Sequence, residues 1–227
     1  MKVRQHSISI NTERFKQYLQ KIGSGEKTSQ GMSREESADA LHLMLIGQAT
    51  AAQIGAFMIA HRIRRPEAKE LAGMLDTYKA IGPKIYSGAK QSQPICFGMP
   101  FDGRNKTAPI YPLTALVLID CGHPVVFQGG KRMPTKYGVT PIELYSALGL
   151  CLKGRNIKEV QSGFNKHGFA LIHQPDHFPL AETMIKYREE LGKRPPIASM
   201  ELIWTAHQGN HLIISGFVHP PTEIRAQ

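Results

Sequence analysis

The sequence has few of the features that mark secreted or membrane proteins. Its 227 residues include only three cysteines, Cys96, Cys121 and Cys151, which are far apart and contain no CxxC pair. Neither a disulfide framework nor a zinc finger is therefore expected. The longest apolar runs, such as residues 113–119, are far shorter than the roughly 20 residues of a membrane span. The N-terminus is not typical of a secretory signal. We predict a protein of the reducing cytoplasm without a membrane partner.

Acidic residues are scarce. Eighteen Asp and Glu face 28 Lys and Arg, which gives a formal net charge of +10. Such an excess favours an anionic partner, either nucleic acid, a phosphorylated small molecule or acidic lipid, although a basic protein that is merely soluble stays open. No basic tail is present, so the fold must assemble any anion site from dispersed groups at residues 62–65, 104–106, 131–136 and 153–158.

Aromatic residues make up only 7% of the chain and do not alternate with basic ones. Trp204 and Tyr111 are therefore predicted to lie in the core, not to stack on bases. The ten histidines show no metal-ligand spacing. Pro175 separates His173 from His177, so these two are not expected to share a helix face. We predict no metal site built from histidines.

The first part of the chain is typical of a helical unit. Apolar residues recur at helical spacing, and Ser33 with Glu36 forms a capping box. Pro66 stands where one helix ends and the next begins. The pattern predicts an N-terminal helical domain over residues 1–90. Its helices are expected over 11–22, 33–46, 51–64 and 67–81.

From residue 91 the pattern changes to apolar runs that alternate with helix-length segments. This rhythm predicts an α/β domain with a mainly parallel sheet over residues 91–227. Ligands of such sheets bind at the carboxyl ends of the strands, where glycine turns stand in this sequence. Strands are expected over 123–129, 168–174 and 211–220, and helices over 112–122 (buried), 141–149 and 179–192.

Three stretches of the sequence resemble the anthranilate phosphoribosyltransferase family. They are IGQATAAQIGAFMIAHRIRRPEAKELAGMLDTY (46–78), VVFQGGKRMPTKYGVTPIELYSALG (125–149) and KYREELGKRP (186–195). The resemblance implies a small helical domain hinged to a larger α/β domain, and a homodimer formed through the helical domains. It further implies phosphoribosyl pyrophosphate and Mg²⁺ between the domains, with anthranilate attacking the sugar C1. Family members are much longer, so the α/β domain is expected to be either C-terminally incomplete or reduced.

The glycine-rich phosphate loop of the family corresponds here to residues 98–103. Gly98, Asp102 and Gly103 remain, but Met99, Pro100 and Phe101 replace small residues. Because Pro100 lacks an amide donor and Phe101 is bulky, a backbone cradle for phosphate is not expected. Positive and polar side chains that could hold an anion follow directly: Arg104, Asn105, Lys106 and Thr107. A turn whose Asp102 bonds only its own backbone is the competing interpretation.

The second family loop, Lys-His-Gly-Asn, corresponds to residues 127–130. Its lysine and histidine are lost, but Gly129 and Gly130 are followed by Lys131 and Arg132. These four are candidate phosphate-binding residues; a turn that requires positive φ would explain the two glycines without a ligand. Arg188 matches the family arginine that contacts the aromatic acid, which makes it a further candidate.

No Asp-Glu dipeptide, the pair that binds Mg²⁺ in the family, occurs in the sequence. No cofactor is therefore certain, and Mg²⁺ is expected only if phosphoribosyl pyrophosphate is bound. The altered loops resemble the DNA-binding, anthranilate phosphoribosyltransferase-like branch. The favoured hypothesis is a homologue that binds phosphate-rich ligands or nucleic acid without sequence preference. An active phosphoribosyltransferase and a ligand sensor remain open.

Overall fold

The computed structural model describes residues 2–88, 91–217 and 219–226, with side chains from residue 10 onward. The chain begins with four helices joined by short links. Capping boxes at Ser33 and Thr50 begin the second and third helices, because each cap side chain accepts a hydrogen bond from the third helical amide. The predicted helical unit is confirmed, with α1 Lys2–Gly23, α2 Arg34–Leu45, α3 Ala51–Arg64 and α4 Ala68–Ile81.

The bundle is held by a close crossing of α2 and α4. A Cβ atom at Gly73 would overlap the carbonyl oxygen of Arg34, so only glycine allows the helices to come this near. Two side-chain hydrogen bonds fix the crossing: Ser37 Oγ donates to the Glu70 carbonyl at 2.8 Å, and Thr77 Oγ1 donates to the Ala38 carbonyl at 2.7 Å. The bundle therefore has a tight, specifically paired interior.

One buried carboxylate organises the polar interior of the bundle. Glu70 is fully buried and accepts from the backbone N–H groups of Glu67 at 2.8 Å and Met32 at 3.2 Å. Arg64 donates to both carboxylate oxygens, and the His61 imidazole lies 3.4 Å away. Burial by itself raises the pKa of Glu70, but the bonds from His61, the Glu67 amide and Arg64 outweigh it and lower the pKa to about 2.

The rest of the chain forms an α/β unit, which confirms the predicted fold class. All strand pairs of its four-stranded sheet are parallel, in the order β4-β3-β2-β6, and a two-stranded parallel sheet pairs β1 with β5. Its elements are β1 Ile85–Tyr86, β2 Ile95–Gly98, α5 Tyr111–Asp120, β3 Val125–Gly129, α6 Pro141–Ala147, α7 Ile157–His167, β4 Phe169–His173, α8 Gln174–His177, α9 Pro179–Glu182, α10 Ile185–Leu191, α11 Ile197–Met200, β5 His207–Gln208, β6 Leu212–Ser215 and α12 Pro220–Ala226.

Several predicted boundaries are wrong. Helix α1 begins at Lys2, well before the Asn-Thr pair at which the sequence pattern places its start. The helix expected over 179–192 is divided into α9 and α10. The strand expected over 211–220 ends at Ser215, and a helix, α12, begins at Pro220.

Helix α5 is predicted to be buried, and it is not. Leu113, Leu116 and Val117 are 61%, 50% and 63% exposed, whereas Ala115 is fully buried. The helix is apolar all round, so periodicity could not identify the face that packs on the sheet. Helix α7 is absent from the prediction, although Asn156 and Glu159 form a capping box at its start.

The apolar core continues from the bundle into the α/β unit. Phe15 and Phe57 of the bundle belong to the same cluster of buried side chains as Phe101, Met133 and Trp204. Trp204 is 2% exposed and Tyr111 is 7% exposed, which confirms their predicted core positions. Residue 90, the end of the predicted helical domain, lies outside the described residues, and that boundary stays a prediction.

Within the described residues, no helix is both long enough and apolar enough to cross a membrane. The same residues contain no group of three or more His, Cys, Asp or Glu side chains that could hold a metal ion. His173 ends β4 and His177 lies in α8, so the two side chains do not share a helix face, as predicted. The hydrogen bond between the two residues comes from the His173 backbone amide, which donates to His177 Nδ1 at 2.9 Å.

Candidate functional site

The candidate site is built where the parallel strands end. β2 ends at Gly98 and β3 ends at Gly129, and the two strands are paired neighbours in the sheet. A Cβ atom at Gly98 would overlap both the Leu202 carbonyl oxygen and the Ser215 hydroxyl. Gly98 is therefore required for packing against the chain itself, and the space beside it is already filled by protein.

The loop after β2 is a tight turn docked onto a second loop. The Gly103 amide donates to the Pro100 carbonyl at 3.0 Å, and Gly103 has φ of 76°, which favours glycine. Arg104 and Val139 exchange two backbone hydrogen bonds of 3.2 and 2.9 Å. The Gly138 amide donates to the Asp102 carbonyl at 2.9 Å. Two amides of this loop, those of Gly103 and Arg104, thus already donate to protein carbonyls.

The side chains that replace the small residues of a phosphate loop point into the core. Met99 is 5% exposed and Phe101 is 2% exposed. Phe101 belongs to the main buried cluster together with Met133, which follows the second loop. A loop anchored by two buried apolar side chains is held by packing, and its backbone cannot open around a ligand without loss of that packing.

Asp102 does more than cap a turn. Its carboxylate is fully buried, 3.2 Å from Arg194 Nη2 and 3.8 Å from Lys136 Nζ. These contacts meet the distance of an ion pair, but neither carboxylate oxygen has a well-aligned hydrogen bond. Burial and the nearby Arg194 lower the pKa of Lys136, and Asp102 offsets this only partly. The surroundings of Asp102 are thus electropositive.

The residues after the turn lie at the surface. Arg104, Asn105, Lys106 and Thr107 are all exposed. Asn105 Nδ2 donates to the Lys136 carbonyl at 3.2 Å, which ties this stretch to the second loop. Within the described part of the chain, neither Arg104 nor Lys106 has a carboxylate within 4.0 Å. Both cations are therefore available to an external anion.

The second loop presents paired cations. Lys131 Nζ lies 2.8 Å from Glu182, and Arg132 Nε lies 2.7 Å from Glu143. Gly129 and Gly130 are buried, and neither has a positive φ, so the turn that would have explained them by backbone conformation is not present. A Cβ at Gly129 would contact Pro141, and one at Gly130 would overlap the Met133 side chain. Packing, not turn geometry, accounts for these glycines.

Arg188 does not lie on the surface with the other candidates. It is 1% exposed, donates to the equally buried Glu201, and lies 3.4 Å from the sulfur of Met133. Burial lowers the pKa of Arg188, but the neighbouring Glu201 and Tyr78 outweigh it and raise the pKa, so the guanidinium stays charged. Arg188, the candidate from the family motif, is thus held inside the core by Glu201.

Sequence reasoning misses Lys136, Arg194 and Glu201. In the sequence, Lys136 is only part of a basic stretch, and Arg194 is only the second arginine of a motif. Their convergence on Asp102 and Arg188 depends on long-range folding, because up to 92 residues separate Asp102 from Arg194 in the chain. No local pattern in the sequence indicates it.

The described residues of this site do not fit a magnesium ion. Mg²⁺ prefers oxygen ligands in octahedral geometry. The one buried carboxylate at the loops, Asp102, is already flanked by Arg194 and Lys136, whose charges would repel a cation. Glu182 and Glu143 are held by Lys131 and Arg132.

Comparison with known proteins gives a partial family match. Residues 16–82 match the model of the "Glycosyl transferase family, helical bundle domain". An anthranilate phosphoribosyltransferase of Methylocella silvestris is 28% identical over 180 residues, which cover 79% of this chain and 49% of the relative. An uncharacterized protein of Aquifex aeolicus is 25% identical over 191 residues, covering 84% of this chain and 56% of that protein.

Solved structures give the same answer for the fold. Anthranilate phosphoribosyltransferase from Thermus thermophilus has a TM-score of 0.74 at 17% identity, covering 94% of this chain and 60% of that one. The enzyme from Saccharomyces cerevisiae in complex with PRPP and Mg also has a TM-score of 0.74, at 15% identity, covering 93% of this chain and 61% of that one.

The chain thus spans about half the length of the curated relatives it matches and about 60% of the solved chains. The altered loops at its strand ends lie within a framework that these proteins share. Residues 16–82 match the helical bundle domain of the glycosyl transferase family, and the chain is similar in sequence and fold to anthranilate phosphoribosyltransferases.

Proposed function

We propose that this chain binds phosphate-rich ligands, nucleic acid among them, through side-chain charge and without sequence preference. The binding residues would be Arg104, Lys106, Lys131 and Arg132, named here the loop cations. Asn105 and Thr107 would add hydrogen bonds from the same exposed stretch. In this proposal the glycines and Asp102 shape the loops and do not touch the ligand.

The observation that carries the proposal is the closed loop after β2. Phe101 and Met99 are buried, and the amides of Gly103 and Arg104 donate to protein carbonyls. A departing pyrophosphate would need free amide donors in this loop. Exposed cations beside a closed loop favour binding of anions over transfer of a phosphoribosyl group. The net charge of +10 also favours binding of anions.

The proposal is tested by titrating a fluorescent single-stranded oligonucleotide at several salt concentrations. Affinity should fall steeply with salt, because each neutralised phosphate releases counterions. The double variant R104A/K106A should bind more weakly at low salt, and its log–log salt slope should be smaller by roughly 1.4, about 0.7 per lost contact. K158A/K166A, which removes two exposed lysines of α7, is the matched control and should bind like the unmodified chain.

Absence of binding at low salt, or a salt response that is flat, would contradict the proposal. Equal loss in both double variants would indicate that only the net charge matters. In that case the loop cations would not form a site.

The second candidate is an active phosphoribosyltransferase. Relatives named anthranilate phosphoribosyltransferase support it, and so does the motif that contains Arg188 and Arg194. This candidate predicts that phosphoribosyl pyrophosphate with Mg²⁺ raises the melting temperature by mass action and that anthranilate is consumed. Neither effect is expected if the loop cations serve binding alone.

A homodimer formed through the helical domain is also part of the proposal. A groove of about 1150 Å³ lies on the bundle between α1 and α3, lined by Leu19, Ile22, Ile59 and Ile63 and by the exposed Ala56. A56R should prevent self-association, whereas A52R, on the exposed first turn of α3, should not. Light scattering after size exclusion measures both. A cytoplasmic location likewise stays a prediction from the cysteine content.

A further inference from the structure

A cavity away from the loop cations is lined by arginines. It has a volume of about 670 Å³ and lies between the end of α3, the stretch 194–199 and helix α12. Four arginines line it: Arg62, Arg65, Arg194 and Arg225. His219, Ser199 and Thr222 add polar groups, and no Asp or Glu belongs to the lining. The sequence places Arg62 and Arg65 in one basic stretch, but nothing in it groups them with Arg194 and Arg225, which lie far along the chain.

Of the four arginines, only Arg194 has a carboxylate nearby, Asp102 at 3.2 Å, among the described residues. Within the described residues, Arg62, Arg65 and Arg225 have no carboxylate within 4.0 Å. The neighbouring Glu67 is exposed and lies 3.1 Å from Lys69, outside the lining. Like charges gathered around one concave space repel one another, and the low-dielectric walls strengthen the potential within it.

Two of the guanidinium groups are held in place by backbone carbonyls. Arg62 Nη1 donates to the Arg194 carbonyl, and Arg225 Nη1 donates to the Pro221 carbonyl at 3.2 Å. Each guanidinium has five N–H donors, so most donors of both groups remain for a ligand. Positioned guanidinium groups bind phosphate oxygens through paired hydrogen bonds and lose little side-chain entropy on binding.

Arg65, which lines this cavity, has an unusual backbone conformation. Arg65 follows the last residue of α3 and has φ of 65° and ψ of 117°. Positive φ is disfavoured for a residue with a side chain, and less so for glycine. Arginine at this position keeps a cation at the cavity wall at the expense of local backbone energy. Strained residues of this kind cluster at ligand sites.

We propose that this arginine cavity, formed by Arg62, Arg65, Arg194 and Arg225, binds a compact oligophosphate such as pyrophosphate or the polyphosphate end of a nucleotide. The concave shape favours a short anion over a long polymer, and four cations match the several negative charges of such a group. The site shares none of the loop cations, so it is separate from the proposed nucleic-acid surface.

Isothermal titration with inorganic pyrophosphate, without Mg²⁺ and at constant ionic strength, tests the proposal. The unmodified chain should bind pyrophosphate at least tenfold more tightly than orthophosphate. R65G should weaken pyrophosphate binding at least tenfold while its melting temperature stays equal or rises, because glycine relieves the strained φ. R225Q should weaken binding as well. R155Q, which removes an exposed arginine paired with Glu159 at 3.1 Å, should change nothing.

Three results would overturn the inference. The first is no heat of binding with pyrophosphate, and the second is R65G binding like the unmodified chain. The third is a parallel loss of oligonucleotide affinity in R65G, which would mean that the cavity is part of the polymer surface. R104A/K106A should bind pyrophosphate normally, so failure of the loop-cation proposal is distinguishable from failure of this one.

Discussion

The helical bundle and the loops at the strand ends each contain a fully buried carboxylate, Glu70 and Asp102 respectively. The two carboxylates differ in their hydrogen-bond partners. Glu70 accepts hydrogen bonds from two backbone amides and from Arg64. Asp102 lies near Arg194 and Lys136 but lacks an aligned hydrogen bond. A carboxylate of the first kind stabilises a structure, whereas one of the second kind leaves positive charge only partly neutralised.

The largest expected effect tests the bundle side of this comparison. Glu70→Gln should reduce the free energy of unfolding by about 3–5 kcal/mol, because it leaves the partly buried Arg64 without its closest counter-charge and weakens the acceptor of two backbone N–H donors. Urea unfolding measures the change. Glu13→Gln removes a carboxylate from an exposed pair with Lys16 and should leave the unfolding curve in place. A loss in E70Q no larger than in E13Q would refute the structural role of Glu70.

The second prediction is that the α/β unit and the bundle lose stability at different pH values. Burial, together with His211, lowers the pKa of His207 from 6.5 to about 4. The unfolded chain therefore binds more protons than the folded chain between these values, so stability is complete above pH 6.5 and falls toward pH 4. The expected loss is on the order of 2 kcal/mol. Glu70 adds its own loss only below its unfolded pKa of 4.5, toward its folded pKa of about 2.

Urea midpoints measured from pH 8 to pH 2 check this order. His207→Gln should flatten the slope between pH 6.5 and pH 4, although it also removes the contact of 2.9 Å with Ser87. His167→Gln, at an exposed position at the end of α7, should leave the slope unchanged. An unchanged slope in H207Q would exclude His207 as its source.

The third prediction addresses the other carboxylate. Asp102→Asn should change the unfolding free energy by less than about 1 kcal/mol, because the amide is nearly isosteric and avoids the cost of a buried charge without hydrogen bonds. It should also bind the oligonucleotide more tightly, since Lys136 and Arg194 lose their counter-charge. The same unfolding and anisotropy assays apply. If D102N were as unstable as E70Q, the two carboxylates would be equivalent and the comparison would fail.

The smallest effect concerns the helix starts. Ser33→Ala and Asn156→Ala each remove a side-chain cap and should each cost about 1 kcal/mol. One cap lies in the bundle and the other in the α/β unit, so urea unfolding followed by both far-UV circular dichroism and Trp204 fluorescence tests whether the two regions unfold together. Curves from the two probes that shift together in both variants would show one cooperative unit, whereas curves that separate would show two.

The parts of the fold that depend on interactions between residues close in the sequence could be predicted. Capping boxes and helical spacing indicate the bundle, and apolar runs before glycines indicate β3 and β4. Helix α7 could have been found from Asn156 and Glu159. The exposed face of α5 could not, because an all-apolar helix carries no information about which side is covered.

Only part of the candidate site could be predicted from the sequence. The exposed cations after each loop are visible as short basic stretches. The ion pairs of Lys131 and Arg132, the burial of Arg188 and the contacts of Asp102 all depend on partners distant in the chain. The arginine cavity is inaccessible for the same reason, since Arg62 and Arg225 meet only in the folded protein.

Arg194 lies at both the loops around Asp102 and the arginine cavity. Its guanidinium lies beside Asp102, its backbone carbonyl holds Arg62, and the residue lines the arginine cavity. An anion that draws this guanidinium into the cavity would leave Asp102 with Lys136 as its nearest cation, so less positive charge would remain beside the loop cations. The consequence expected from the two proposals is negative linkage: occupancy of one anion site should lower the affinity of the other, and by the same factor in both directions.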